Sequence, residues 1–247
     1  FVNLMEYSAK EDQLKPTSVL LEGESFILNE IAKKVREWRE SYSPRVDGEK
    51  PLNPPFIVRQ LRELLEPRDI VVTEVGQNQM YVAHYMEFYH PRTFITAGGL
   101  GTMGFGFPAS IGAKIAREDR VVVDVAGDGS FLMTCQDLAT CVKEGVHVVV
   151  ALLNNGYLGM VRQWQELFYG RRYFAVDIHG TPDFVKLAKA FGADAERVSD
   201  PGDVRKVLRE AIEPRDRPFV IDFIVNRTFN VLPMVPPGMP LNKPVGV

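Results

Sequence analysis

Two apolar segments, each ending in small polar residues, constrain the fold of this chain more than any other feature. The first, VVVDVA over residues 121–126, runs directly into Gly-Asp-Gly-Ser; the second, HVVVALL over 147–153, runs into Asn-Asn-Gly. Nearly continuous valine and leucine, without the alternation of a half-exposed strand, indicates strands that are buried on both faces. Such strands occur in parallel sheets covered by helices, so the sequence predicts an α/β fold with helices on both faces of a parallel sheet.

The flanking segments alternate between strand and helix patterns in the same way. Amphipathic or Ala-rich segments at helical spacing separate short runs of β-branched residues. Between the two opening strands we expect one helix, MTCQDLATCVKEG, preceded by a start near Phe131. The predicted strands are DIVVTEVG, RTFITAGG, RVVVDVAG, HVVVALLN, AERVS and RPFVIDFIV, with predicted helices between them.

The pattern divides the chain into three parts. Residues 1–50 are expected to form a lead-in helix and a Pro-rich linker, and 51–228 the α/β domain. Residues 229–247 contain five prolines and are predicted to form no regular element. Two interpretations of this tail remain open, an arm that excludes water from a site and a loose terminus. The lead-in helix is predicted from apolar residues at helical spacing, namely Phe26, Ile27, Ile31, Val35 and Trp38.

Composition argues against several classes of protein. The net charge of −3 and the pI near 5.9 provide no basic face for nucleic acid, and no apolar run approaches the roughly 20 residues that span a membrane. Cys135 and Cys141 lie on different faces of a predicted helix, so we expect buried thiols and a reducing, cytoplasmic location. The start at Phe1, without an initiator Met or a signal-peptide pattern, indicates a fragment or a processed product. No metal-like spacing relates the four histidines, which are expected to be structural: His84, His90, His147 and His179.

The polar ends of the two opening strands predict a ligand site. In a parallel sheet such ends meet at one edge, near the point where strand order reverses. The glycines of 127–129 allow close backbone approach, and the following helix offers free N–H groups to an anion. Asp128, the Asn155 amide and a carbonyl just beyond are hard oxygen ligands suited to Mg²⁺ or Ca²⁺. Either motif alone is typical of a turn, but the pair favours a divalent cation that bridges to a diphosphate.

The motif formed by these two strand ends resembles that of a known family. Gly-Asp-Gly, then 24 residues, then Asn154-Asn155 is similar to the cofactor motif of thiamine diphosphate enzymes. Over roughly residues 52–240 the chain resembles the carboxy-terminal part of acetohydroxyacid (acetolactate) synthase catalytic subunits, whereas residues 1–50 only faintly resemble the end of that family's central domain. The segments that carry the resemblance are EVGQNQMY, AGGLGTMGFGFPASIGAK, NNGYLGMVRQWQELFYG, TPDFVKLAKAFG and LPMVPPG.

The resemblance implies positions for a metal and for thiamine diphosphate. It assigns Mg²⁺ to Asp128, Asn155 and the Tyr157 carbonyl. Met103 would support the bent cofactor from below, and the Gly101 carbonyl would face its exocyclic amine. Without the resemblance, Met103 would be interpreted as a gap-filler of the core. The other implied cofactor positions are Gly76, Gln77, Asn78, Gln79, Gly127, Gly129, Ser130, Met133, Leu158, Gly159 and Met160, with Asn155 and Tyr157 again among them.

The family roles carry over with different strength at Asn78, Met160 and Trp164. The family often has His where Asn78 stands, so an acid–base role there is in doubt, although Asn still donates a hydrogen bond. Met160 and Trp164 match substrate-site positions, and Trp164 would help to select the second substrate. Packing on an amphipathic helix is the competing interpretation of this Trp.

The resemblance also implies an activity that this chain would share with another polypeptide region. An acetolactate synthase decarboxylates pyruvate and joins the two-carbon unit to a second 2-oxo acid, a step in branched-chain amino-acid synthesis. The activating Glu comes from an amino-terminal pyrimidine-binding domain that nothing here resembles, so no catalytic residue is assigned. We expect a homo-oligomer or a separate subunit to supply that domain, a regulatory subunit to be possible, and FAD only with the absent central domain. The alternatives are a subunit of another thiamine-diphosphate-dependent decarboxylase or carboligase, and a non-catalytic cofactor-binding remnant.

Overall fold

The computed structural model describes residues 28–37, 48–180 and 182–246. Six strands form one sheet in the order β2-β1-β3-β4-β6-β5, and every neighbouring pair is parallel. The predicted α/β class is therefore confirmed. The strands are β1 (Ile70–Thr73), β2 (Phe94–Thr96), β3 (Val122–Gly127), β4 (Val149–Asn154), β5 (Asp194–Val198) and β6 (Phe219–Ile224).

Helices connect these strands and precede the first of them. A helix over 28–37, α1, lies in the predicted lead-in segment, whereas Phe26, Ile27 and Trp38 lie outside the described residues. The helices that follow α1 are α2 (Pro54–Leu64), α3 (Gln77–Tyr85), α4 (Gly106–Ala116), α5 (Asp128–Phe131), α6 (Leu138–Glu144), α7 (Gly159–Phe168), α8 (Phe184–Ala190) and α9 (Pro201–Ile212). Helix α9 begins with Pro201 after Asp200, whose carboxylate accepts the Gly202 N–H at 2.9 Å.

The sheet is buried on both faces, which explains the continuous apolar segments. In β3, Val123 and Val125 point into a core shared with α2, α3 and α9. Ala126 of the same strand points to the opposite face, where α4, α6 and α8 pack. Because successive side chains of a strand alternate between faces, a strand in the middle of this sheet needs apolar residues at nearly every position.

Strand order reverses between β1 and β3. The chain passes from β1 outward to β2 on one side, and from β3 to β4 on the other. The crevice beyond the carboxyl ends of β1 and β3 is the usual ligand site in sheets of this kind. The segments that follow these two strands begin at Glu74 and Asp128. The predicted cofactor residues 76–79 and 127–130 therefore flank that crevice.

The prediction of one helix between β3 and β4, beginning near Phe131, is wrong. The helical turn α5 begins at Asp128, directly after β3, and a 3₁₀ turn over Cys135–Asp137 precedes α6. After Phe131 the backbone bonds tighten to a spacing of three, with the Met133 N–H donating to Ser130 and the Thr134 N–H to Phe131. Bonds of this spacing end an α-helix and let the chain change direction.

The cysteines, the C-terminal segment and the helices each bear on an expectation from the sequence. Cys135 and Cys141 are buried free thiols, as predicted. Within residues 229–246, pairing is limited to one isolated bridge between Met234 and Val245. None of the described helices combines the length and the apolar character needed to cross a membrane.

Candidate functional site

The ends of β3 and β4 meet at Asp128. This residue is 3% exposed, and its Oδ2 accepts the backbone N–H of Gly156 at 2.8 Å. Burial raises the pKa of Asp128 to about 6, although the N–H groups of Gly156 and Gly129 act in the opposite direction. A carboxylate buried in this way gains the most from a cation placed beside it.

Asn155 lies next to this contact and joins β4 to the segment after β1. Its Oδ1 accepts the Tyr157 N–H at 2.9 Å, and its Nδ2 donates to Oε1 of Gln77 at 3.1 Å. The Tyr157 ring is covered by the guanidinium of Arg227, 4.2 Å from the ring centroid. The turn that contains Asn155 and Tyr157 is thus fixed from two sides.

A cavity of about 70 Å³, here called the cofactor cavity, opens between the ends of β1, β3 and β4. Most residues predicted to bind a cofactor or metal line it together, although they come from four separate segments. The predicted residues in its lining are Gly76, Gln77, Asn78, Met103, Gly127, Asp128, Gly129, Ser130, Asn155, Tyr157, Leu158, Gly159 and Met160.

Three predicted residues lie outside this lining. The Gln79 Nε2 donates to the Thr96 hydroxyl at 2.7 Å, which turns that amide toward β2. The Gly101 N–H donates to the Ala97 carbonyl within its own turn, and Met133 is 53% exposed beyond α5. Six further residues of the lining were not predicted, because their mainly apolar side chains carry no sign of a site in the sequence: Pro54, Val75, Tyr81, Leu153, Val161 and Val225.

A fully buried glutamine joins the cofactor cavity to the C-terminal segment. The Gln163 Oε1 accepts from Gln77 Nε2 at 2.9 Å and from the Val231 N–H at 2.8 Å, while its Nε2 donates to the Val231 carbonyl at 2.9 Å. The Tyr81 hydroxyl and Gln77 both donate to the Phe229 carbonyl, at 2.6 and 3.2 Å. Nothing in the sequence indicates this network, since a glutamine on an amphipathic helix is typical of the solvent face.

A second, larger cavity of about 830 Å³, here called the arm cavity, lies between α3, α7 and residues 233–244. The two predicted substrate residues are in its lining, and Met160 belongs to both cavities. The Pro-rich segment forms one wall of this cavity. The lining residues are Met80, His84, Met160, Trp164, Pro233, Met234, Val235, Pro237, Leu241, Asn242 and Pro244.

The cofactor cavity fits an anion held through a divalent cation. Among the described residues in its lining, none is Lys or Arg, so a diphosphate would need an added positive charge. No three His, Cys, Asp or Glu side chains in the described part of the chain are grouped so that they could hold a metal ion, so amide and carbonyl oxygens would have to complete any metal site. Asp128, Asn155 and the Tyr157 carbonyl offer that oxygen set, which suits Mg²⁺.

Comparison with protein families gives one match over most of this domain. The family described as "Thiamine pyrophosphate enzyme, C-terminal TPP binding domain" matches residues 74–223. This range includes every lining residue of the cofactor cavity except Pro54 and Val225, and it ends within β6.

Curated relatives are acetolactate synthases. The chain is 42% identical over 222 residues to the probable acetolactate synthase large subunit of Methanococcus aeolicus, covering 87% of this chain and 37% of that protein. It is 49% identical over 202 residues to acetolactate synthase of Mycobacterium leprae, covering 80% of this chain and 32% of that protein. The resemblance predicted from the sequence is confirmed, and the chain spans about a third of the length of these relatives.

Solved structures share the fold. Benzoylformate decarboxylase from Polynucleobacter necessarius superposes with a TM-score of 0.70 at 26% identity, over 76% of this chain and 36% of the other. The thiamine diphosphate-dependent 4-hydroxybenzoylformate decarboxylase of Rhodococcus jostii RHA1 gives 0.69 at 26% identity, over 76% and 35%.

Proposed function

Because this chain belongs to the thiamine pyrophosphate enzymes and carries their C-terminal TPP-binding domain, we propose that it forms the diphosphate-and-metal half of an acetolactate synthase active site. One contact supports this most directly, the 2.8 Å hydrogen bond from the Gly156 N–H to Asp128. It holds the two motif ends at one cavity. The identity of 42–49% to acetolactate synthases, against 26% to the decarboxylases, supports the choice of reaction.

In this proposal Mg²⁺ is held by the Asp128 carboxylate, Oδ1 of Asn155 and the Tyr157 carbonyl. The Asn155 oxygen has a second lone pair beyond the one engaged by the Tyr157 N–H, so it can still act as a ligand. The cation would neutralise part of the diphosphate charge, and the Gly129 and Ser130 amides would face the phosphate oxygens. Both Nε2 hydrogens of Gln77 are already donated, to Gln163 and to the Phe229 carbonyl, so Gln77 would shape the wall rather than donate to a phosphate. A bound cation would also stabilise the ionised form of Asp128 and so lower the pKa that burial raises.

Met103 would support the cofactor from the wall above the α5 turn. A Cβ placed on Gly129 would lie 2.7 Å from Leu158 Cδ2 and 3.9 Å from Met103 Cε, so both side chains reach over the α5 turn. When bound, thiamine diphosphate supplies the carbon nucleophile that takes up the 2-oxo acid. Asn78 donates its Nδ2 to the Val125 carbonyl at 2.8 Å and is thereby fixed in the wall, which supports a binding role rather than acid–base chemistry.

The arm cavity provides the space for the substrates. Pyruvate and a second 2-oxo acid would pass Met160 and Trp164, and the arm tied to Gln163 would exclude water.

The activating Glu and the pyrimidine-binding domain come from a homo-oligomer partner or a separate subunit, with a regulatory subunit as a further partner. FAD would bind only with a central domain. A cytoplasmic location belongs to the same proposal, supported by the free thiols of Cys135 and Cys141.

The test combines this chain with the amino-terminal region of an acetolactate synthase. The mixture should form acetolactate from pyruvate only when thiamine diphosphate and Mg²⁺ are both added. Release of acetaldehyde instead would identify a simple 2-oxo acid decarboxylase. Normal binding of the cofactor without any turnover, with every amino-terminal region tried, would identify a non-catalytic module.

A further inference from the structure

Two carboxyl groups that the proposed site does not use are buried beneath the start of α4. Glu74 follows β1, Asp124 lies in the middle of β3, and both have 0% exposure. Buried carboxyl groups are rare unless they have partners, so each requires a physical account. The two groups turn out to have opposite surroundings.

Glu74 is bonded to the segment that carries Met103. Its Oε2 accepts the Gly104 N–H at 2.8 Å, and its Oε1 accepts the Phe107 N–H at 3.0 Å. Gly104 is the next residue after Met103, and Phe107 lies in the first turn of α4 with 0% exposure. One side chain therefore fixes both ends of the short connection from Met103 into the helix.

The same connection is pressed against the sheet. A Cβ on Gly106 would lie 2.7 Å from the Glu74 backbone N and 2.6 Å from Asp124 Oδ1. The segment thus has no room to move toward the sheet, and the Glu74 carboxylate prevents it from moving away. Its backbone position is determined by both contacts.

Asp124 provides a contrast at the same depth. Neither of its carboxyl oxygens has a hydrogen-bond partner, and burial together with the charge of Glu74 raises its pKa well above the ordinary value. Asp124 consequently holds no part of the Met103 segment through a hydrogen bond. It is a matched control for Glu74.

We propose that Glu74 is the positioning residue of the Met103 segment, and that it holds the Met103 side chain over the α5 turn in the cofactor cavity through the Gly104 and Phe107 amides. This inference rests on the proposed function, because the role of Met103 as cofactor support is part of that function. Glu74 lines neither the cofactor cavity nor the arm cavity, so in this proposal it acts through Met103.

The first test measures the segment itself, without cofactor. Glu74→Gln keeps the size of the side chain but has one carbonyl oxygen, so one of the two N–H groups would face an amide N–H₂. Hydrogen exchange at Gly104 and Phe107 should become faster in Glu74→Gln and stay unchanged in Asp124→Asn. Unchanged exchange in folded Glu74→Gln would overturn the proposal. If that variant does not fold, wild-type amides that exchange as fast as unprotected ones would overturn it.

The second test is a double-mutant cycle on thiamine diphosphate affinity, measured by calorimetry in Mg²⁺ on the chain combined with an amino-terminal region. Glu74→Gln should weaken binding roughly tenfold, whereas Asp124→Asn should leave it unchanged. If Glu74 acts through Met103, the double variant Glu74→Gln/Met103→Ala should bind no more weakly than Met103→Ala alone.

The outcomes separate the inference from the proposed function. Additive losses, or a loss in Glu74→Gln with none in Met103→Ala, would show that Glu74 acts by another route and would overturn the inference. Absence of thiamine diphosphate binding by the wild-type combination would overturn the proposed function instead, and the exchange measurement would still decide whether Glu74 holds the segment.

Discussion

The cofactor cavity and the arm cavity share Met160 but are built by different means. The first measures about 70 Å³ and combines glycines, side-chain amides and one carboxylate with apolar side chains at the ends of three strands. The second measures about 830 Å³ and is formed mainly by Met, Pro and Trp side chains of two helices and the arm. Polar groups fixed by a sheet suit a ligand held in one pose, whereas apolar side chains with room between them suit ligands that exchange. Binding of cofactor and choice of substrate should therefore respond to different substitutions.

The largest effect is expected at Asp128. Asp128→Ala should weaken Mg²⁺-dependent binding of thiamine diphosphate by a factor on the order of 100 or more, because it removes the one charged ligand of the proposed metal site. Asn155→Ala removes a neutral oxygen and should cost less. Calorimetric titration with and without Mg²⁺ measures both, and thermal melts without cofactor verify the fold. Wild-type Mg²⁺ dependence in Asp128→Ala would show that residues 127–130 form only a structural turn.

A smaller effect is expected from narrowing the cofactor cavity at Gly159. A Cβ there would lie 2.2 Å from Gln77 Oε1 and 2.7 Å from Asn155 Nδ2, so Gly159→Ala must displace the hydrogen bond between these side chains. We expect roughly tenfold weaker cofactor binding in the same titration. Gly112→Ala in α4 is the control, since nothing lies within 4 Å of its Cβ position. Equal affinities of the two variants would contradict the fixed geometry inferred for this cavity.

In the arm cavity the effect should fall on selectivity. Trp164→Leu should change the ratio of products from competing 2-oxo acids by several-fold and leave thiamine diphosphate affinity within a factor of about two. Phe168→Leu is a matched control, because Phe168 has the same 39% exposure on α7 but lies outside the lining of both described cavities. A loss of cofactor affinity in Trp164→Leu would erase the distinction between the cavities.

The smallest expected effect concerns His84, the only titratable group among the described residues that line the arm cavity. Burial lowers the pKa of His84 below its ordinary value of 6.5. The unfolded chain then binds a proton at His84 at a higher pH than the folded chain does. The contribution of neutral, buried His84 to the free energy of unfolding is therefore fully present above pH 6.5 and is lost as the pH falls through the pKa of the folded state. His84→Gln should reduce the fall in Tm between pH 7 and pH 5 by about 1 °C. Identical Tm profiles would show that His84 is not desolvated by this cavity.

Much of the fold was predictable because its signals are local. The apolar runs of β3 and β4, and the polar residues that end them, appear within a few positions of one another. Strand order was not predictable, since nothing in β1 specifies that β2 and β3 will be its neighbours. The break between α5 and α6 also escaped prediction, because helical spacing continues through residues whose hydrogen bonds tighten to a spacing of three.

The site residues also fall into those with a local signal in the sequence and those without one. Asp128 and Asn155 were identifiable from glycines and oxygens beside them, and the family resemblance added Met103 and Trp164. Glu74 and Gln163 had no such signal, because a charged residue after a strand or a glutamine on an amphipathic helix is typical of the surface. Their partners lie 30 to 86 positions away, so only the folded chain reveals that both are fully buried.

The glutamine network has a consequence for synthesis on the ribosome. Gln77 and Phe229, whose carbonyl accepts a hydrogen bond from the Gln77 amide, are 152 positions apart in the sequence, and Gln163 and Val231 are 68 apart. All six strands can emerge and pair before Val231 leaves the exit tunnel, and until then the Gln163 amide lacks its backbone partner. Pairings this far apart form late, because each must close a long loop first. A nascent chain with β6 outside the tunnel and Val231 still inside it would therefore present a complete sheet, while Gln163 of α7 still lacks its backbone partner.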